Sequence, residues 1–410
     1  MMSVFRRLKT QQQHLLYACF FAFFCNGALS MTLGSALPDL RAAYHLDEAV
    51  SGLMLSAHSG GNLAAGLLSG LAPLYLGEKR SILLLSALGF LGFLMMLVWG
   101  NPVWLIMAFL LTGMGRGSVT NFSNRKVNAL TLGSPAASNM LHASFAVGAL
   151  VTPLAFLALR RALSWQAGVG FVMVALLFSL FFMGTRPMEE KERKQDKRQD
   201  KSLVFLKNKA FLILGGMMFF YLCSEYSING WLVTYIQSKT SLVESLGSGE
   251  GLQQRLSDYS QMMATLFWVL MLVGRLGSAA LSAKIHQKTL MMLASFSTVV
   301  FFALMLFGSS IAQVTFAVAG LGLSMAGIAP MTYSDAAIFT NRYPLATGVL
   351  LAFGSAGAVL MPSLVGIMTK SLGMLGGMSL ILGAIVLLAV FAVLNRLMLG
   401  KTAIPEEAVA

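Results

Sequence analysis

The chain has 410 residues, of which 57% are hydrophobic and 11% are charged, and its mean hydropathy is +0.74. Soluble domains carry about 25% charged residues, so this composition excludes a soluble enzyme or binding module and predicts an integral membrane protein. The apolar runs are continuous for about twenty residues, which predicts membrane-spanning helices and excludes the alternating pattern of a membrane β-barrel.

Twelve apolar segments are long enough to cross a bilayer. The formal net charge is +13, and most of the lysines and arginines lie in loops on one side of these segments. Because cytoplasmic loops are enriched in Lys and Arg, we expect a multi-pass protein of the cytoplasmic (inner) membrane with both termini cytoplasmic, and no nucleic-acid partner. The predicted spans are 14–36, 49–75, 81–100, 102–124, 137–159, 166–184, 209–236, 259–282, 289–309, 312–338, 345–368 and 373–395.

The three cysteines, Cys19, Cys25 and Cys223, all fall within apolar segments and show no ligand spacing. They predict neither a disulfide bond nor a metal site. No phosphate-binding loop and no Ser-His-Asp set stands out in the sequence. We therefore expect no cofactor and no enzyme activity.

The first two spans each carry a polar group within an apolar helix. Asn26 is expected either to hydrogen-bond a substrate hydroxyl or to bond a neighbouring helix. In the second span, His58 is expected to be a neutral histidine bonded to a neighbouring hydroxyl, with proton shuttling as the alternative.

The fourth span has a polar stripe. Arg116, Thr120 and Asn124 recur every fourth residue and therefore share one face. Arg116 lies ~13 Å of helix rise from Arg125, too deep to reach the membrane surface. A guanidinium keeps its proton, so it needs an anion, carbonyl oxygens or water. The alternatives for its partner are Glu225, a group of carbonyl oxygens or an acidic group on a substrate.

The segment 185–208 is the only long charged run and predicts a cytoplasmic linker. It divides the chain into an N-terminal six-helix bundle, 1–184, and a C-terminal six-helix bundle, 209–410. In the fifth span, before this linker, His142 is expected to act in gating or packing.

The seventh span holds the only deep carboxylate of the sequence. Glu225 lies ~24 Å of helix rise from Lys209, near mid-membrane, where a carboxylate costs at least ~2.5 kcal/mol. Tyr221, Glu225 and Asn229 share one face, which predicts the wall of a transport pathway; an ion pair that only locks two helices is the alternative. We expect Glu225 to carry a coupling proton, and Asn229 and Trp231 to contact substrate.

Three residues of the later spans are candidates as well. Trp268 is expected either to stack against a substrate ring or to serve as ordinary helix packing. Arg275 is expected to act as a gating residue. Asp335 lies close to the cytoplasmic end of its span and is expected to act as a gate or as an interfacial charge.

The two halves of the sequence repeat. Gly113-Met-Gly115 recurs as Gly320-Leu-Gly322, and Gly148-Ala-Leu-Val-Thr-Pro153 recurs as Gly357-Ala-Val-Leu-Met-Pro362. Both matches have an offset of about half the chain, which predicts two parallel six-helix repeats.

These features resemble the major facilitator superfamily over essentially the whole chain. The superfamily's Gly-x-x-x-Asp-Arg-x-Gly-Arg-Arg loop signature keeps its spacing at Gly70 to Arg80, although Leu74 and Tyr75 replace the Asp and Arg. More specific stretches are similar to the fucose-permease-like branch of sugar–proton symporters. These are Gly113-Met-Gly-Arg-Gly117, Asn139-Met-Leu-His142 with Phe145, Gly148 and Pro153, the segment Tyr221 to Tyr235, and Phe267-Trp268 with Gly274-Arg275.

The resemblance implies an all-α major facilitator fold of twelve transmembrane helices that works as a monomer among membrane lipids. It also implies a secondary active transporter that moves a small polar solute such as a sugar, by alternating access and in symport with protons. Arg116 stands where the fucose-permease pattern has an acid, which favours a sugar acid or another small organic anion. An efflux pump for amphipathic compounds and a non-transporting sensor are the alternative interpretations.

Overall fold

The computed structural model describes residues 8–131, 135–186, 204–239, 241–242, 251–282, 284–340 and 342–398, and the regular structure within them is entirely helical. Most of the predicted linker 185–208 lies outside these residues. The helices of the first half are α1 (Thr10–Tyr44), α2 (Glu48–Leu76), α3 (Glu78–Val98), α4 (Pro102–Leu130), α5 (Pro135–Ala162) and α6 (Trp165–Thr185). Those of the second half are α7 (Lys209–Ser238), α8 (Leu252–Leu281), α9 (Gln287–Phe307), α10 (Ile311–Met325), α11 (Ile328–Asp335), α12 (Ala337–Thr340) and α13 (Pro344–Leu397).

Several helices begin at a capping side chain. The Asp47 carboxylate accepts a hydrogen bond from the backbone N–H of Val50 (2.8 Å) at the start of α2, and Asn101 accepts one from Val103 (2.9 Å) at the start of α4. These bonds satisfy N–H groups that have no partner within the helix. The predicted second and fourth spans therefore begin within about one residue of the observed helices.

The predicted tenth span, 312–338, is not one continuous helix. α10 ends at Met325 and α11 begins at Ile328. Pro330 lies in the first turn of α11 and has no N–H group to bond the carbonyl oxygen of Ala326, so it favours the start of a new helix over the interior of an old one. The two helices together still form one stretch, Ile311–Phe339, that is long and apolar enough to cross a membrane, as the single-span prediction requires.

The helix α13 accounts for two predicted spans, 345–368 and 373–395. It contains a break at Gly373, where φ is 74°, a value that glycine adopts without steric cost. Ten stretches of the described residues are long and apolar enough to cross a membrane, and one of them covers both arms of α13. The 29-residue α2 is also long enough to span a bilayer and completes the twelve-helix arrangement.

The two halves repeat the same close helix contacts. A β-carbon at Gly148 on α5 would lie 2.0 Å from the carbonyl oxygen of Phe24 on α1. A β-carbon at Gly357 on α13 would lie 2.3 Å from that of Phe219 on α7. Small residues let membrane helices approach this closely, so the matched sequence stretches mark equivalent contacts in two six-helix repeats.

The halves meet mainly along α1 with α7, α2 with α13, and α5 with α8. A β-carbon at Gly34 would lie 2.2 Å from the carbonyl oxygen of Asn229, and one at Gly52 would lie 2.5 Å from that of Pro362. The backbones of opposite halves therefore touch at these two glycines. The outward surface is largely apolar, with Phe178 and Phe181 of α6 exposed, as expected of a protein that crosses the membrane several times.

Candidate functional site

A cavity of about 200 Å³ lies between the two halves. Central turns of α1, α2, α4 and α5 form its wall on one side, and α7 and α8 form it on the other. Repeat-based transporters bind their substrates at such a position, between the repeats and near the membrane midplane. The polar or aromatic side chains on the wall are Phe23, Ser30, His58, Ser59, Arg116, Thr120, His142, Phe145, Glu225, Tyr226, Asn229, Trp268 and Arg275.

Arg116 enters this cavity from α4 and reaches across to the other half. Its Nη1 donates a hydrogen bond to the hydroxyl of Tyr226 on α7 (2.7 Å). The guanidinium carbon lies 5.4 Å from the centre of the Tyr226 ring and 5.7 Å from that of Phe145, within range of cation–π attraction. Its buried Nε has no hydrogen-bond partner among the described residues.

Asn26 lies behind the cavity wall and holds α1 against α4. Its Nδ2 donates to the Thr120 hydroxyl (2.8 Å) and to the carbonyl oxygen of Arg116 (3.2 Å). The residue is only 2% exposed and does not line the cavity. Of the two roles expected for Asn26, the structure shows the hydrogen bonds to a neighbouring helix.

Glu225 lines the cavity from α7, as its position in the polar stripe predicts. Its charge interacts with those of Arg275 and Arg116 and with the nearby hydroxyl of Tyr221. No ion pair within 4.0 Å involves Glu225 among the described residues. The structure therefore places Glu225 near two cations without the fixed Arg116–Glu225 tie that was one alternative.

Arg275 lines the cavity from α8, which brings a second guanidinium into the same space. Its Nη2 contacts the sulfur of Met271 (3.8 Å), and its buried Nε has no partner among the described residues. His142 also lines the cavity, packs edge-on against Phe23 and is exposed. It lies close enough to Arg275 for their charges to interact. Two of the three predicted gating residues, His142 and Arg275, thus lie on the cavity wall itself.

The two predicted tryptophans have different surroundings. Trp268 lines the cavity, contacts the Phe145 ring at 5.9 Å across the halves, and has a buried Nε1 without a partner among the described residues. Trp231 is 0% exposed, and its Nε1 donates to the carbonyl oxygen of Pro362 (3.3 Å). Asn229 lines the cavity as expected, but the structure gives Trp231 a packing position away from it.

Asp335 also lies away from the cavity. Its two carboxylate oxygens accept hydrogen bonds from Gln287 (2.9 Å) and Asn395 (3.0 Å), so it joins α9, α11 and α13 within the second half. Among the described residues it has no hydrogen bond or ion pair across the halves.

Sequence reasoning missed several residues of the cavity wall, and two of them, Tyr226 and His58, carry hydrogen-bonding groups. Tyr226 follows Glu225 directly, and its hydroxyl is the partner of Arg116. His58 was expected to bond a hydroxyl and does so with Thr112 (3.0 Å), but its place on the cavity wall was not predicted. The signal for His58 was its depth within the second span, beside the Arg116 helix.

The polar contacts that join the halves run from mid-depth to one end of the molecule. Beside Arg116–Tyr226, they include Ser56–Ser363 (2.7 Å) and Gln261–Ser35 (3.0 Å). At the end itself are three contacts, which we call the outer seam: Arg161–Asp258, Arg160–Ser257 (2.7 Å) and Asp47–Lys370 (2.7 Å).

The outer seam lies on the external side in the predicted topology. Towards the other end, no hydrogen bond or ion pair links the halves within the described ranges. The structure therefore represents a conformation that is closed at the outer seam.

Comparisons with known proteins agree with this architecture. Residues 19–249 match the Major Facilitator Superfamily. The membrane protein MosC of Rhizobium meliloti is 22% identical over 364 residues, which cover 86% of this chain and 83% of MosC. The crystal structure of the nucleoside transporter NupG superposes with a TM-score of 0.73 at 15% identity, over 95% of this chain and 99% of NupG.

A second solved structure is similar to the same extent. It is a bacterial homologue of the human lysosomal transporter Spinster, inward-facing and occupied, with a TM-score of 0.72 at 12% identity over 97% of this chain and 100% of that one. At these identities the likeness shows the fold alone, and the resemblance to the fucose-permease-like branch stays a prediction. The family match spans more than half of the chain and the fold agrees over nearly all of it, so the chain belongs to the Major Facilitator Superfamily and is a transporter of a small solute.

Proposed function

We propose that this transporter moves a small organic anion, such as a sugar acid, together with a proton that binds Glu225. The observation that carries the proposal is the charge of the cavity wall. Arg116 and Arg275 contribute two permanent positive charges, whereas Glu225 contributes the one negative charge.

The two guanidinium groups favour an anionic substrate. A buried cation costs several kcal/mol unless other groups compensate it, and a guanidinium does not lose its proton. The Tyr226 hydroxyl and two aromatic rings compensate Arg116 in part, but the Nε of Arg116 and that of Arg275 lack partners among the described residues. A carboxylate can accept two parallel hydrogen bonds from a guanidinium, which is the interaction that these groups do not yet make.

The same charges couple the anion to a proton. With Glu225 ionised and the histidines neutral, the wall carries one net positive charge, and a proton on Glu225 raises this to two. The more positive cavity binds an anion more tightly, and by linkage the anion favours proton binding to the same degree. A cavity with one anion and one proton then has the same net charge as the empty, ionised cavity. Only these two forms need to reorient in a one-to-one symport.

The volume of the cavity supports a small solute. Sites for drug-sized ligands occupy about 300–1,000 Å³, whereas this cavity has about 200 Å³. This size disfavours the efflux of large amphipathic compounds. A neutral sugar would fit the space but would leave both arginines without an anion.

Reorientation would require the outer seam to open and the opposite ends of the halves to close. The polar contacts of the outer seam and the glycine contacts at Gly34 and Gly52 are the interactions that opening would break. In an alternating-access cycle, one six-helix half rocks against the other around a central site.

Uptake into proteoliposomes tests the proposal. D-glucuronate would serve as the anionic probe, with D-glucose, uridine and ethidium as neutral or amphipathic comparisons. We expect Arg116→Gln and Arg275→Gln to lower glucuronate uptake at least about tenfold, because a charged hydrogen bond contributes about 1.5–3 kcal/mol. The exposed Arg342, which lies outside the cavity, provides the matched control Arg342→Gln.

The role of Glu225 needs a separate measurement. Glu225→Gln should abolish accumulation driven by a pH gradient but retain exchange of labelled for unlabelled glucuronate, since exchange needs no net proton movement. Accumulation at the wild-type level in this variant would refute the proton assignment. Uptake of glucose or uridine but of no organic acid would refute the anion assignment. Binding without any exchange would favour the sensor interpretation.

A further inference from the structure

The imidazole of His58 is a hydrogen-bonding group of the cavity wall that the proposed function does not use. His58 lines the cavity from α2 and is 6% exposed. A β-carbon at Gly113 on α4 would lie 1.9 Å from the carbonyl oxygen of His58, so the backbones of α2 and α4 touch at this residue. This contact fixes the point from which the imidazole ring extends.

Thr112 determines which ring nitrogen of His58 carries hydrogen. The Thr112 hydroxyl donates its single hydrogen to the carbonyl oxygen of Phe109 (2.7 Å). Its oxygen lies 3.0 Å from Nδ1 of His58 and must therefore accept a hydrogen bond from that nitrogen. The hydrogen-bond network thus assigns the hydrogen to Nδ1, which leaves Nε2 of the neutral ring as an acceptor.

The charge balance of the cavity agrees with a neutral ring. A proton on Nε2 would add a third positive charge beside Arg116 and Arg275, against the single carboxylate of Glu225. Within the described part of the chain, no donor is hydrogen-bonded to Nε2. A polar atom in such a place loses free energy unless a ligand or water satisfies it.

We propose that Nε2 of His58 accepts a hydrogen bond from a hydroxyl group of the substrate, so that the transporter selects hydroxylated organic acids over acids that lack this hydroxyl. The inference rests on the proposed function, in which Arg116 and Arg275 bind the carboxylate. It divides recognition between the two ends of the substrate, because the arginines can only donate and the neutral imidazole nitrogen can only accept. Glu225 is less suited than His58 to recognise a hydroxyl group, since its capacity to accept hydrogen bonds changes when it binds a proton.

Equilibrium binding to the purified full-length protein tests this inference. The probes are D-glucuronate and its 2-, 3- and 4-deoxy analogues, measured by calorimetry at one pH. We expect the wild-type protein to bind one analogue at least about tenfold more weakly than glucuronate, because that analogue leaves Nε2 unsatisfied. His58→Phe, which keeps an aromatic ring but no acceptor, should bind the same analogue and glucuronate with nearly equal affinity.

Two further variants separate recognition from general damage. Thr112→Val keeps the volume of the side chain but removes the acceptor for Nδ1–H, so it should also reduce the discrimination, even if His58→Phe does not fold. His142→Phe changes another histidine of the cavity wall, one that has no hydrogen bond to a threonine among the described residues. It should retain the wild-type ratio of affinities, whatever its effect on affinity itself.

The outcomes distinguish this inference from the function on which it rests. If glucuronate binding depends on Arg116 but the wild-type protein does not discriminate among the analogues, the role of His58 is refuted and the anion function stands. If Thr112→Val and His58→Phe discriminate among the analogues as the wild-type protein does, the role of His58 is likewise refuted. If glucuronate shows no binding that depends on Arg116, both proposals fail.

Discussion

Gly52→Val should open the outer seam. A β-carbon at Gly52 would lie 2.5 Å from the carbonyl oxygen of Pro362 and 3.0 Å from Cα of Ser363, whereas ordinary contact begins near 3.4 Å. Both neighbours are backbone atoms of the opposite half, so no side-chain rotation can relieve the overlap. Overpacking of this kind costs about 1–3 kcal/mol, which corresponds to a shift of about 5- to 150-fold away from the closed conformation.

Electron spin resonance distances across the seam would measure this shift. Spin labels at the exposed positions Ala43 and Ser371 report on the outer end of α1 and on the outer end of the first arm of α13, just before its break at Gly373. The native cysteines are buried and should not take up label under mild conditions. Gly52→Val should show a population with a longer distance between the labels at Ala43 and Ser371, which is small or missing in the labelled protein that keeps Gly52.

The matched control lies on the same helix. A β-carbon at Gly66 would meet nothing within 4 Å, so Gly66→Val should leave the distance distribution unchanged. The reasoning is refuted if Gly52→Val gives the unchanged distribution, or if both variants shift it equally.

Three further predictions concern individual contacts. The hydrogen bond from Lys370, together with the Val50 amide, lowers the pKa of Asp47. This contact should therefore stabilise the closed seam fully above the ordinary aspartate pKa of about 3.9 and lose its effect as the pH falls through the lower value. The Ala43–Ser371 distance should lengthen only in that acidic range, and in Asp47→Asn already at neutral pH. Trp231→Phe should lower the free energy of unfolding by about 1–3 kcal/mol, seen as a lower melting temperature without a change in ligand affinity. Trp268→Phe should instead weaken ligand binding. A loss of affinity in both variants would contradict the positions assigned to the two tryptophans. Tyr226→Phe should strengthen glucuronate binding up to about tenfold in calorimetry, because the anion no longer has to displace a hydroxyl from Arg116; weaker binding would instead indicate that this hydroxyl contacts the substrate.

Features that depend on one helix at a time were predictable from the sequence. The polar stripes that place Arg116 with Thr120, and Glu225 with Asn229, follow from the helical period, and each pair lines the cavity. The period also argued against Trp231, because two residues beyond Asn229 correspond to a rotation of about 200°. That rotation turns the indole away from the cavity.

Features that depend on which helix faces are brought together were not predictable. Nothing local to Arg116 indicates that it meets Tyr226 instead of Glu225, since that choice is set by the packing of α4 against α7 across the two halves. Arg275 was predicted to act in gating, but the packing of α8 against the first half places it on the wall of the central cavity. The apolar run over 312–338 predicted one span, and the turn between α10 and α11 within it lies just before Pro330.

The place of Asn26 affects how loss-of-function variants of this transporter should be interpreted. Its amide nitrogen serves both the carbonyl oxygen of Arg116 and the hydroxyl of Thr120. Asn26→Ala would keep every side chain of the cavity wall but remove the hydrogen bonds that hold α4 at Arg116, so the guanidinium would be less well positioned. A genetic screen would then group Asn26 with the residues that line the cavity. Measurements of both ligand affinity and backbone order in α4 would reveal that Asn26 acts indirectly, by positioning Arg116.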